Sequence, residues 1–176
     1  MTPAPTIRDA TAADIPAIQA IYAHHVLHGL ASFEEVPPGV EEMRSRYEAI
    51  VASGKPYIVA ELDGAVAGYG YASGYRARPA YRFTLENSIY IDERHRGRGV
   101  GTALLDALIE RCRAGPWRQV VAVIGDSANA ASIGLHRKAG FREVGVLRRV
   151  GFKHGRWVDS VLMQLELSAE DPPAGG

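Results

Sequence analysis

Apolar residues recur on a helical period near the start of the chain, where Ile15, Ile18, Ile21 and Tyr22 share one face. Thr11 and Asp14 stand ahead of that stripe as caps, Pro16 suits a first turn, and Gly29 offers a stop. Pro37-Pro38-Gly39 breaks the chain, and a second helix is predicted from about Val40 to Ala52, ending at Gly54. The period then changes to two. Tyr57 to Leu62 is a β-rich run, Asp63-Gly64 is a two-residue hairpin signal, and Ala65 to Tyr75 returns. From Phe83 to Ile91 the positions alternate, with Phe83, Leu85, Asn87, Ile89 and Ile91 on one face and Thr84, Glu86, Ser88 and Tyr90 on the other, which is expected to be a polar face.

A Gly/Arg segment, Arg94 to Gly101, interrupts this pattern and opens a helix with apolar positions Val100, Leu104, Leu105, Leu108 and Cys112. Val120 to Ile124 is apolar throughout and predicts a strand buried on both faces. A helix from about Asn129 to Lys138 ends at Gly140, and Phe141–Val150 and Trp157–Leu167 read as closing strands. Lys153-His154 between them reads as a polar hairpin turn. With a short strand ahead of the first helix, the order is β-α-α-β-β-β-α-β-α-β-β. The fold class is mixed α/β, and the tight hairpin means that its sheet cannot be wholly parallel. Residues 1–5 and 168–176 carry no periodic pattern and are expected to be flexible around a single domain at 6–167.

Composition narrows the function classes. The chain has 176 residues, 47% hydrophobic and 23% charged, which suits one soluble globular domain with a real core. Lys+Arg and Asp+Glu balance at 20 each, which removes the electrostatic case for a nucleic-acid binder or a polybasic membrane anchor. One cysteine forms no internal disulfide and no Cys-rich zinc site. No apolar run approaches the roughly 20 residues of a membrane span, and the start lacks a signal-peptide pattern, so a cytoplasmic location is expected. Cys112 is expected to be buried and inert. His24, His25 and His28 lack a third ligand at fitting spacing, so a solvated or rim position is expected and no metal.

Arg96-Gly97-Arg98-Gly99-Val100-Gly101 is the sharpest chemical signal. Its glycines let backbone N–H groups approach an anion at a helix start, where free N–H groups and the dipole favour phosphate. On its own it reads equally as a Gly-rich turn with solvated arginines. It is not a Walker A loop, since no Lys follows, and its Gly-x-Gly-x-Gly spacing is not the dinucleotide fingerprint.

This loop, with Arg96, Gly99 and Gly101 at the defining positions, resembles the acetyl-CoA pyrophosphate loop of the GNAT superfamily of N-acetyltransferases. The element order is similar to that fold over about residues 6–167. Ala60–Gly68, Arg76–Tyr81, Glu86–Ile91, Val120–Gly125 and Gly151–Trp157 further resemble the phosphinothricin acetyltransferase family, which includes enzymes acetylating methionine sulfone and methionine sulfoximine. The resemblance implies a mostly antiparallel sheet of about seven strands flanked by about four helices. It also implies acetyl-CoA as cosubstrate, no metal, a small amine substrate, a homodimer, and no nucleic-acid or membrane partner.

The site follows from chemistry and resemblance together. An amine must be neutral to attack a thioester, and a free α-amino group has a pKa of ~8 or higher, so a base is useful. Glu86 is the candidate; by position alone it reads as well as an exposed strand residue or a partner of Arg76, Arg78 or Arg82. His136 is a possible acid, with a surface or cofactor-edge position as its plainer reading, and Tyr90 is another. The resemblance implies cofactor contacts at Ile89, Tyr90, Ile91, Arg96, Gly97, Arg98, Gly99, Val100, Gly101, Thr102, Asn129 and Ser132. It places Arg76, Arg78, Thr84, Leu85 and Phe33 on the substrate side. The two arginines suit a carboxylate or a phosphinate or sulfone oxygen. The alternatives are another acceptor (a different amino acid, a polyamine or a protein N-terminus) and a non-catalytic CoA-binding regulatory domain.

Overall fold

The computed structural model describes residues 4–171. The expected flexible ends lie partly outside it, at residues 1–3 and 172–176. At the start of the expected tail, Arg118 donates to the carbonyls of Glu170 at 2.9 Å and Asp171 at 3.2 Å.

The elements run β1 (Thr6–Asp9), α1 (Ile15–His28), α2 (Val40–Ala52), β2 (Tyr57–Leu62), β3 (Ala65–Gly74), β4 (Thr84–Ile91), α3 (Val100–Arg113), β5 (Gln119–Gly125), α4 (Ala130–Lys138), β6 (Arg142–Lys153) and β7 (Arg156–Glu166). The strands form a single sheet in the order β1-β2-β3-β4-β5-β7-β6, antiparallel throughout except for β4 and β5. The mixed, mostly antiparallel seven-strand sheet with four helices is thus the expected one.

Local chemistry sets the boundaries. Ahead of α1, the Asp14 carboxylate accepts from Thr11 N at 2.7 Å and from the Thr11 hydroxyl at 3.0 Å, forming a capping box. Asp63 and Gly64 both adopt positive φ, the conformation that the two-residue hairpin demands.

Two cores flank the sheet. On one face, Leu104, Leu105 and Leu108 of α3 pack on Ile58 and Ala60 of β2, Leu85 of β4, Val120 and Ala122 of β5, and Met163 of β7. On the other, Ile15, Ile18, Ile21 and Val26 of α1 and Met43 of α2 pack on Tyr57, Val59 and Tyr69, with Tyr71 and Tyr90 against them. Gly68 permits the first contact: a Cβ there would lie 2.9 Å from the Tyr90 carbonyl oxygen and 3.1 Å from side chains of Val100 and Leu104.

Three expectations need correction. β5 is not buried on both faces: Val120, Ala122 and Ile124 are buried, but Val123 is 39% exposed, because α1 and α2 reach no further than β4. The face of β4 with Glu86, Ser88 and Tyr90 is not simply polar, since Tyr90 packs beneath α1, 5.1 Å from the Tyr22 ring. Lys153 is no turn residue. It ends β6 fully buried and donates to the Ser32 carbonyl at 2.7 Å, while His154 and Gly155 make the turn with positive φ.

Candidate active site

The site begins where two parallel strands part. β4 and β5 pair from Thr84–Gln119 to Asn87–Ala122 and no further. Beyond that apex β4 holds only β3, and β5 holds only β7. Backbone direction then decides which groups are free. Tyr75 N donates to the Thr84 carbonyl and Asp92 N to the Ala67 carbonyl, so even-numbered β4 residues turn their main chain toward β3. Because these directions alternate along a strand, Ile89 and Ile91 turn theirs into the gap. His25 Nε2 lies 2.8 Å from the Ile91 carbonyl and donates to it. Of the three main-chain cofactor contacts implied by resemblance, Ile89 therefore turns its groups into the gap, Ile91 keeps only its N–H free because His25 occupies its carbonyl, and Tyr90 turns its groups toward β3.

The gap opens into a cleft of about 610 Å³ lined by His25, Ile89, Ile91, Arg96, Asn129 and Ser132, among others. At its phosphate-loop end, Gly97 and Gly99 have φ of 73° and 79°, left-handed conformations that a side chain disfavours. Gly99 is the N-cap of α3 and supplies no capping side chain, so the first N–H groups of that helix remain free for an anion. Gly101 serves close packing, as a Cβ there would lie 2.8 Å from Ile91 Cδ1. Arg96 and Gly97 line the cleft. Arg98 instead pairs with Asp63 at 2.9 Å, and the Val100 side chain is buried in the α3 core, leaving only its main chain for a ligand. Thr102 follows in the first turn of α3.

The opposite wall is α4. The Asn129 side chain accepts from Ser132 N at 3.1 Å and caps the helix. His136 is buried, with Nδ1 2.8 Å from the Ser132 carbonyl and Nε2 2.9 Å from the Asn87 amide. Burial lowers its pKa.

Glu86 lies one residue before the apex on the opposite face of β4, level with Ser73 and Val121 on the neighbouring strands. It is half-buried and forms no ion pair among the described residues, and burial alone pushes its pKa up. The structural ion pair is therefore not what this carboxylate makes here. Thr84 shares its face and lines a depression of about 250 Å³ with Tyr75, Tyr81 and Val121. Leu85 points the other way and is fully buried under α3, so strand alternation removes its side chain from the substrate side. Arg76 and Arg78 are exposed on the loop after β3, where Arg76 lies over the Tyr75 ring at 5.2 Å; the structure does not bring them against Glu86. The Phe33 ring lies against Gly151 and beside Gly125, joining the loop after α1 to the mouth of the cleft.

Two contributors escaped the sequence reading. Asn87 sits in the crevice at the apex with Ser88, Tyr90 and His136. Its signal was present: it is the one polar side chain among Leu85, Ile89 and Ile91 on the buried face of β4. His25 was expected at a solvated rim, yet it is partly buried and donates to the Ile91 carbonyl, and burial lowers its pKa. His24 pairs with Glu93, and among the described residues no group of three or more His, Cys, Asp or Glu could hold a metal ion. No helix among them is long and apolar enough to cross a membrane.

A parted parallel strand pair leading to an anion-ready helix start fits a long ligand with a phosphate end. Residues 23–141 match the acetyltransferase (GNAT) family, and the chain belongs to it. Its cosubstrate is acetyl-CoA. The chain is 58% identical over 166 residues to a phosphinothricin N-acetyltransferase of Alcaligenes faecalis, covering 94% of this chain and 84% of that one. It is 43% identical to an L-methionine sulfoximine/L-methionine sulfone acetyltransferase of Pseudomonas paraeruginosa, covering 92% and 94%. A crystal structure of a phosphinothricin acetyltransferase from Sinorhizobium meliloti in complex with acetyl-CoA superposes with a TM-score of 0.94 at 48% identity, covering 99% of this chain and 95% of that one.

Proposed function

We propose that the protein acetylates the α-amino group of a small amino-acid-like substrate (phosphinothricin, methionine sulfone or methionine sulfoximine) by direct attack in a ternary complex, with Glu86 as general base. The observation that carries this is an unpaired, half-buried carboxylate beside the apex where β4 and β5 part. Acetyl-CoA, when bound, supplies an activated acyl group with a thiolate leaving group whose parent thiol has a pKa near 8.5. Glu86 takes a proton from the ammonium form of the substrate, and its raised pKa brings it toward the working range. The Ile89 N–H, turned into the gap, offers a donor for negative charge developing on the transferred carbonyl oxygen. Arg96 and the free N–H groups at the start of α3 receive the phosphates, and Asn129 and Ser132 border the same cleft. Arg76, Arg78, Thr84 and Phe33 are assigned to the substrate side, where the arginines would receive the carboxylate or the polar tail. A homodimer is part of this reading, supported by the apolar face of β5 that the chain leaves uncovered.

The test is CoA release from acetyl-CoA with phosphinothricin, methionine sulfone, methionine sulfoximine, ordinary amino acids, spermidine and a peptide as acceptors. Turnover is expected with the tetrahedral-tail amino acids, and Glu86→Gln should lower it by about 10²–10⁴-fold. A carboxylate whose pKa is raised in the fold costs stability above its ordinary pKa. Glu86→Gln should therefore unfold at pH 7 no earlier than the wild type. Turnover confined to spermidine or peptide would overturn the substrate assignment. CoA binding without any turnover would favour a regulatory domain.

A further inference from the structure

His136 and Asn87, 49 residues apart, meet at the apex of the cleft, and both side chains are buried. Their hydrogen bonds fix each other's orientation. A carbonyl oxygen has no hydrogen to give, so at 2.8 Å from the Ser132 carbonyl, Nδ1 of His136 carries the ring proton. Burial disfavours a second proton, which leaves Nε2 as a bare acceptor. The Asn87 group 2.9 Å from Nε2 is then its Nδ2–H. The opposite amide orientation would set an oxygen lone pair against a nitrogen lone pair. Oδ1 of Asn87 is thereby turned away from His136, and it is buried with no hydrogen-bond partner. A buried acceptor without a donor is costly and needs an explanation. Asn87 ends the β4–β5 pairing and lines the crevice that continues into the cleft. Acetyl-CoA carries amide N–H donors along its pantetheine arm.

We propose that Asn87 is a cofactor-binding residue whose Oδ1 accepts a hydrogen bond from a pantetheine amide N–H, and that His136 is the positioning residue that turns the Asn87 amide the right way round. The proposal rests on the cleft being the acetyl-CoA site. It also gives His136 a part other than proton donor, because its one ring proton is committed to the Ser132 carbonyl and its free nitrogen is an acceptor.

Calorimetric titration with CoA, and separately with adenosine 3′,5′-bisphosphate, which lacks the arm, tests the proposal without turnover. Asn87→Leu should weaken CoA about tenfold or more and leave the nucleotide unchanged, about 1.4 kcal/mol lost from the arm alone. His136→Leu should weaken CoA in the same selective way, and His136→Gln, whose side-chain carbonyl can still accept from Asn87, should restore it. Nitrogen-15 spectra of the wild-type imidazole at neutral pH should show the proton on Nδ1. Unchanged CoA affinity in Asn87→Leu would mean that Oδ1 serves only a water and would overturn the proposal. An equal loss for CoA and nucleotide would do the same by making the effect structural, and a ring proton on Nε2 would reverse the amide. Failure of wild-type protein to bind CoA at all would instead remove the acetyl-CoA reading of the cleft.

Discussion

The two halves of the sheet are built differently. From β1 to β4 both faces are covered, by α1 and α2 on one side and α3 on the other. From β5 outward, one face has no helix, and the β6–β7 hairpin leaves Val144, Leu147, Val150, Phe152 and Trp157 exposed. Isolated exposed apolar residues are ordinary, but a row of them along one hairpin at a sheet edge is the surface on which the proposed homodimer would draw. The candidate base and the cofactor cleft lie at the seam between these halves, where β4 stops pairing with β5. Val120, Ala122 and Ile124 of β5 and Val161, Met163 and Leu165 of β7 still belong to the core beneath α3, so the halves differ at one face only, the one that α1 and α2 cover in the first half.

Truncation should separate the halves most strongly. Leu104 is fully buried between α3 and the sheet, so Leu104→Ala should cost about 2–5 kcal/mol in denaturant unfolding. Val123→Ala, on the open face of β5, should change the stability of the isolated protomer by less than about 0.5 kcal/mol. Equal losses would show that the open face is packed in solution even in the protomer.

This asymmetry marks the limit of what sequence alone revealed. Pattern and punctuation located α1, α2, β2 and β4 to within a residue or so, because a Pro, Gly or Asp-Gly signal stands close to the ends of the first three and alternation marks the fourth. It misread β5, since an unbroken apolar run looks the same whether the second face meets a helix of its own chain or nothing. The same limit applies at the site. The glycine loop stood out by residue type and position, whereas Glu86 was singled out as a candidate only by chemistry and resemblance together, as was the cofactor cleft. The Asn87–His136 contact and the burial of Lys153 against Ser32 were not legible, because side chains 49 and 121 residues apart leave no periodic trace. Leu85 was misplaced for a simpler reason: adjacent residues in a strand face opposite ways.

A smaller effect probes the outer edge of the covered half. Arg8 donates to both Asp14 oxygens at 2.8 Å and to Glu61 at 2.7 Å, tying β1 to the start of α1 and to β2. The Arg8 guanidinium holds the Asp14 carboxyl at about 2, below its ordinary 3.8. A depressed carboxylate pKa stabilises the fold above pH ~4, and that contribution is lost as pH falls from about 4 toward 2. Asp14→Asn should cost about 1–2 kcal/mol at pH 7, discounted for the partly exposed arginine, and almost nothing at pH 2. A loss that stays constant across that range would assign the effect to the helix cap rather than to the ion pair.

The gentlest probe perturbs neither half. Cys112 is the sole cysteine, buried on the core face of α3, and burial pushes its thiol up to about 12. Thiol reagents attack the thiolate, so Cys112 should react only when the covered half opens. A second thiol introduced by Val123→Cys would stand on the open face at the rim of the apex crevice, where Val123 is 39% exposed and a reagent can reach it. Labelling of that variant at pH 8 should therefore resolve into a fast phase of one equivalent and a slow phase at least about 10³-fold slower. The slow phase reports the covered half and should not depend on protein concentration. If a second copy of the chain covers the open face, the fast phase must slow as concentration rises through the dissociation constant, by mass action. A fast phase that keeps its rate at every concentration would leave the face of β5 uncovered and remove it from the proposed dimer interface, with the contrast between the two halves intact.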